Sequence, residues 1–352
     1  MITSVERESF ISNLLTVPPA NIKNLTQQQR QIILKILREN SDIDNLDNKE
    51  LPSLLGRLRE PSKAQVKGLF SVIQSLWKGL LNFLGLRISS HQIRETMHTN
   101  PSIKLRISLD KWAAEIPPNS RWPSGAPFLT EDRIDAKERL LSCFLEKRTF
   151  LNLRDLELGS IPPDILAYMP HLEMIDLTGT RLRTPPNVSH NKALKTLLLN
   201  NNQLSEAPNV KNNIYLETLF LNNNQLTIPP DITQNQALKL LRLNNNELHE
   251  APSLTKNPNL LILDLSNNRI TSPPDVTQNL ELIKLNLSHN QLIIAPDVTR
   301  NRRLEHLYLN TNNLKNPPDI RHNLDLESIS LFENPLQKRV DLSQHRWIKQ
   351  SL

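Results

Sequence analysis

Few residues in this chain could do bond-making chemistry. His91 and His98 stand seven positions apart with Glu95 between them. Two imidazoles and a carboxylate could begin a metal site. The H-E-x-x-H spacing that puts two ligands on one helical face is missing, however, and no cysteine pair completes a ligand set. Cys143 is the only cysteine. It lies beside Phe144 on the apolar side of a helical stretch, where a thiol reads as a small core residue and not as a nucleophile. No glycine occurs between 182 and 336, so no loop there can wrap backbone amides around a phosphate. The expectation is a protein without catalytic residues, metal or cofactor.

What remains is recognition chemistry: apolar, aromatic and charged side chains that recur on a fixed step. The candidates for partner binding are Leu198, Phe220, Leu240, Arg242, Ile262, Asp264, Lys284, Asn286, His306 and Tyr308. They fall into two columns. One runs Asp176, Leu198, Phe220, Arg242, Asp264, Asn286, Tyr308, Ser330; its neighbour runs Met174, Thr196, Thr218, Leu240, Ile262, Lys284, His306, Ser328. Adjacent members of a column come from adjacent strands, which predicts a contiguous apolar region of Leu198, Phe220, Leu240 and Ile262 with Arg242 in it. Exposed apolar patches on a rigid scaffold mark interaction sites, and aromatic and arginine side chains dominate their binding energy.

These columns depend on a repeat. Leucine or isoleucine falls at 182, 204, 226, 248, 270, 292, 314 and 336, always 22 residues apart, and from 204 on each is preceded by L-x-x-[LI]-x-L-x-x-N. A fixed period of this size predicts a solenoid. Leu194, Leu197, Leu199, Asn202 and Leu204 make one copy; Leu238, Leu241, Leu243, Asn246 and Leu248 make another. The x-L-x-L part predicts a short strand with inward leucines, stacked in parallel on its copies. A buried amide can satisfy backbone groups left unpaired at the turn that follows, so the column Asn202, Asn224, Asn246, Asn268, Asn290, Asn312 and Asn334 reads as structural. A second column, Asn191, Asn213, Asn235, Asn257, Asn279, Asn301 and Asn323, is expected to bind backbone at the return turn. Prolines at 186, 208, 230, 252, 274, 296 and 318 remove a donor and fix φ, so the convex side is expected to be extended or polyproline-like, not helical.

The phrase L-x-x-L-x-L-x-x-N-x-L resembles the leucine-rich repeat. The short, proline-marked copies are similar to bacterial leucine-rich-repeat proteins of the secretion-system effector type. The resemblance implies an α+β chain: an N-terminal helical domain, then a solenoid with a parallel sheet on its concave face. It further implies a non-enzymatic scaffold that binds a protein partner on that face, in the manner of an effector acting on host proteins. The copies read P-P-D-[VI]-T-x-N rather than the L-P-x-L-P of effector ubiquitin ligases, and no catalytic cysteine domain follows them, so that activity is not implied. Leu51, Pro52, Leu54, Leu55, Leu58, Ile73 and Trp77 are weakly similar to an F-box, which leaves a ubiquitin-ligase substrate adaptor as the alternative.

The expected domains are 1–115, helical; 116–129, a proline-rich linker; 130–150, a helix that caps the solenoid; 151–336, eight repeats after a degenerate first one at Leu153, Leu156, Leu158 and Ile161; and 337–352, a C-terminal cap. An end repeat would otherwise expose its core to water. Thr130 begins the capping helix, with Ile134, Leu140, Leu141, Phe144 and Leu145 on its apolar face. Helical patterns also run over 28–39 and 66–84. The latter carries Lys78 near its middle, which excludes a membrane span; with Trp77 it leaves peripheral membrane contact open. The net charge is +6, with 22 basic and 16 acidic residues in 1–150 against 20 of each in 151–352. Basic residues are not interleaved with aromatics, so no nucleic-acid partner is expected. A single cysteine rules out an internal disulfide and suits a reducing, cytoplasmic compartment. Glu6 and Glu8 contradict a cleavable signal, leaving signal-independent export into a host cell open. A monomer is expected.

Overall fold

The computed structural model describes residues 101–114, 128–345 and 348–351. The histidines at 91 and 98, the F-box-like segment, the 28–39 and 66–84 patterns and most of the proline-rich linker lie outside the described residues. The described elements are helices α1 (Pro101–Ala114) and α2 (Phe128–Leu145), and strands β1 (Phe150–Asn152), β2 (Met174–Asp176), β3 (Thr196–Leu198), β4 (Thr218–Phe220), β5 (Leu240–Arg242), β6 (Ile262–Asp264), β7 (Lys284–Asn286), β8 (His306–Tyr308), β9 (Ser328–Ser330) and β10 (Lys349–Ser351). The strands form one parallel sheet in chain order. From β2 to β9 the register is the repeat itself: Thr196 aligns with Thr218, Leu240 with Ile262, Lys284 with His306.

From β1 to β9 each strand turns its central residue inward. Leu197, Leu219, Leu241, Leu263, Leu285 and Leu307 are fully buried, and Val188, Val210, Ile232, Leu254, Val276, Val298 and Ile320 meet them from the opposite wall. The proline column is buried and the segments around it carry no helix; the one helical turn on that side is a 3-10 turn at Ile165–Tyr168. Fixed φ and a missing N–H keep these segments extended.

Both asparagine columns bind backbone. Asn246 Nδ2 donates to the carbonyls of Leu221 and Leu243 at 3.0 Å each, and its Oδ1 accepts from Leu226 N–H at 3.0 Å. In the second column Asn213 Nδ2 donates to Val188 O at 3.0 Å and Asn191 O at 2.8 Å. The Oδ1 atoms of all seven members find no hydrogen-bond partner among the described residues, so this column only donates. The aspartates of the P-P-D phrase close Asx turns. Asp231 accepts from the Thr233 hydroxyl at 2.7 Å and the Thr233 N–H at 3.1 Å; these bonds, with Lys211 behind them, hold its carboxyl down at about 2.

The ends depart from the expected pattern in three ways. First, α2 begins at Phe128, directly after Pro127, rather than at Thr130; proline suits the position just ahead of a helix. Its buried stripe is Arg133, Ala136, Leu140 and Cys143, while Ile134 and Leu145 are exposed. The stripe is rotated because the Arg133 guanidinium answers carbonyls of α1 and of the first turn: Nη1 donates to Trp112 O at 2.8 Å and Nη2 to Leu158 O at 3.1 Å. Helix α1 joins the same core through Leu105, Leu109 and Trp112, and the compact unit carrying the solenoid starts at Leu105. Second, the first turn uses Leu151 and Leu153 as its inward pair, so Leu156 occupies the place that asparagine takes from Asn202 onward. Third, the segment after Leu336 continues the coil. Asp341, Leu342 and His345 stand 22 residues after Asp319, Ile320 and Asn323, and His345 Nε2 lies 3.1 Å from Asn323 O as a member of the second asparagine column would.

The repeat forces one residue per turn into left-handed backbone: Asn201, Asn223, Asn245, Asn267, His289, Thr311 and Glu333 have φ of 53–59°. Asparagine tolerates this region, whereas a β-branched residue is strained there. Thr311→Asn should therefore stabilise the array by about 1 kcal/mol, read as a raised urea midpoint at unchanged m-value.

Candidate binding surface

Strand alternation decides which side chains face out. With the middle residue of each strand buried, the first and third stand on the opposite face. Leu198, Phe220, Leu240, Ile262, Asp264, Lys284, Asn286, His306 and Tyr308 are half-buried there and Arg242 is exposed. Register brings them together as expected. Phe220 is aligned with Leu198 on one side and Arg242 on the other, and Leu240 with Ile262. Neighbouring strands lie about 4.8 Å apart, so the four apolar side chains form one patch across β3 to β6.

Cross-strand contacts add what the columns alone did not show. The Arg242 guanidinium lies over the Phe220 ring, 4.6 Å from its centroid. Lys284 Nζ lies 5.3 Å from the Tyr308 centroid, and the Tyr308 and His306 rings are nearly parallel at 6.3 Å. His306 Nδ1 is 3.0 Å from Ser328 Oγ, which is also 3.4 Å from Tyr308 Oη. Ser328 thus ties the two aromatic side chains together, a role not read from sequence. Asp264 and Asn286 are partly committed to the fold. Asp264 Oδ1 accepts from Ser266 N–H at 3.1 Å and its hydroxyl at 2.7 Å; Asn286 does the same for Ser288 at 3.2 and 2.8 Å. The sequence signal for these turns is the D-x-S and N-x-S spacing.

Other candidate chemistry is sparse. Cys143 is buried and its thiol lies 3.6 Å from Arg148 O and 3.7 Å from Phe150 O. Burial, first, pushes its pKa up to about 11, which keeps it protonated and unreactive. Among the described residues no group of three His, Cys, Asp or Glu could hold a metal ion, and no helix is long and apolar enough to cross a membrane.

The Leucine Rich Repeat family model matches residues 215–235 and 259–280. No curated protein matches the chain. Among solved structures it is similar to YopM, a leucine-rich effector protein from Yersinia pestis, at 26% identity over 67% of each chain with a TM-score of 0.51. It also matches internalin C2 from Listeria monocytogenes, at 16% identity over 58% of this chain and 92% of that one with a TM-score of 0.50, a likeness of fold. The functional domain of InlJ from Listeria monocytogenes matches at 24% identity and a TM-score of 0.47 over 58% of this chain, which spans about half (48%) of that domain. With its parallel ten-strand sheet, its repeated inward leucines and its asparagine ladder, the chain carries a leucine-rich-repeat solenoid.

Proposed function

We propose that this protein is a non-enzymatic scaffold that holds a protein partner on its strand face, and that it works as an effector inside a host cell. The observation that carries the reading is the Phe220–Arg242 pair beside Leu198, Leu240 and Ile262: an aromatic and a guanidinium stacked on one another at the middle of an apolar patch. Such pairs dominate interface energies, and a sheet of fixed register presents them without an ordering cost on binding. The effector role is supported by similarity to YopM, a leucine-rich effector protein.

Phe220→Ala should weaken partner binding by about 2 kcal/mol while leaving the unfolding midpoint close to wild type, because Phe220 is outside the leucine core. The test is affinity purification from host and bacterial lysates with wild type and the Phe220→Ala/Arg242→Ala double variant, followed by calorimetry on the captured protein. A partner that binds both forms equally would remove the strand face as its docking site.

A further inference from the structure

The cations that edge the sheet are neutralised by the turn before them. Lys195 pairs with Glu173 and Lys239 with Glu217 at 2.8 Å, Arg269 with Glu247 at 3.0 Å, and Arg303 with Glu281. The two cations standing on the sheet are held differently. Arg242 and Lys284 form no salt bridge with a carboxylate among the described residues; each lies over an aromatic ring of an adjacent strand. A ring positions a cation and keeps its charge, and a guanidinium stacked on a ring keeps its N–H edge open for a planar anion. Within β3 to β9 the sole carboxylate on these two columns is Asp264. It stands beside Arg242 in the register, but its Oδ1 is taken by Ser266. The face therefore combines an apolar patch with two cations that are positioned by rings and form no salt bridge among the described residues.

We propose that the strand face takes an acidic peptide segment, with its apolar side chains on Leu198, Phe220, Leu240 and Ile262 and its carboxylates on Arg242 and Lys284. This rests on the strand-face reading above and names the chemistry of the partner. Arg242 ends β5 and Lys284 opens β7, so they sit two strands apart and two residues offset along them, about 12 Å. An extended segment crossing the strands obliquely spans that in about four residues at about 3.3 Å each, and a helix in about eight at about 1.5 Å each. Acidic residues at either separation fit the pair.

The test is selection of a random twelve-residue peptide library on the full chain, with affinities of enriched peptides measured by fluorescence anisotropy. Enriched sequences are expected to carry Asp or Glu beside Leu, Phe or Tyr. Arg242→Glu/Lys284→Glu should weaken them by about thirtyfold, and Asp264→Asn should strengthen them by about threefold. The Asn286–Ser288 turn shows that asparagine supports the same local geometry, so the latter variant keeps the fold; circular dichroism verifies both. Enrichment without an acidic excess, no enrichment at all, or peptides indifferent to the charge reversal would overturn the proposal. If those indifferent peptides are lost on Phe220→Ala, the strand-face reading survives and the acidic partner alone fails; if they ignore both variants, both fall. Tight binding of a single-stranded RNA oligonucleotide in place of acidic peptides would also overturn it, in favour of phosphate as the anion.

Discussion

Asn246→Ala should cost the solenoid about 2–4 kcal/mol of unfolding free energy: the buried Leu226 N–H is orphaned, at about 1–3 kcal/mol, and the Leu221 and Leu243 carbonyls each fall from two amide donors to one, Asn224 and Asn268 remaining. The amide donates to Leu221 O and Leu243 O and accepts from Leu226 N–H, so it joins three positions on two successive turns. Alanine reaches none of them. Asn246→Asp should be at least as damaging, because a carboxylate keeps the acceptor but brings negative charge against two carbonyl oxygens. The neighbouring Asn245 is exposed and in left-handed backbone, where glycine is at ease; Asn245→Gly should stay within about 0.5 kcal/mol of wild type. Urea unfolding of the three variants separates the cases. A loss under about 1 kcal/mol for Asn246→Ala would mean that water enters and replaces the amide.

The same column explains how much of this molecule could be read in advance. Inside the array each residue is flanked by copies of itself, so an environment that demands leucine or asparagine once demands it every 22 residues, and the periodicity exposes it. The inward leucines, both asparagine columns, the proline wall and the outward columns with Phe220 and Arg242 follow from that alone. The ends break the argument, because a terminal turn has a unique neighbour. Leu156 can stand in the asparagine position of the first turn, and Thr180 in that of the second, where its hydroxyl donates to Leu177 O at 2.7 Å. Arg133 displaces Ile134 from the buried side of α2 since carbonyls, not more apolar surface, await it there. His345 takes over from asparagine at the last turn; the 22-residue step from Asp319 to Asp341 was the available signal. On the outward strand face the columns were legible but the pairings within them were not. That Arg242 lies on Phe220, or that Asp264 bonds Ser266, depends on rotamers that no spacing specifies.

Arg133→Met should cost about 3–5 kcal/mol, at about 1–3 kcal/mol for each buried polar group that loses its donor, concentrated at the N-terminal end of the coil. Methionine fills a similar volume but offers no donor. The Trp112 and Leu158 carbonyls and the Ser160 hydroxyl would lose the guanidinium bonds of 2.8, 3.1 and 3.2 Å, and the Trp112 ring would lose the cation 5.0 Å from its centroid. The Trp112 Nε1–H bond to Ser160 O at 3.1 Å would be left as the remaining named polar tie between α1 and the first turns. In a solenoid each turn is stabilised by its neighbours, so the damage should decay along the chain rather than spread evenly. Hydrogen exchange should speed up strongly in α2 and around Leu153–Leu158, and much less at β6 to β8. Limited proteolysis should cut the variant near α2 before any repeat beyond β4. Uniform acceleration across all strands would instead mean that the array unfolds as a single unit, with Arg133 contributing to its global stability and not to a local cap.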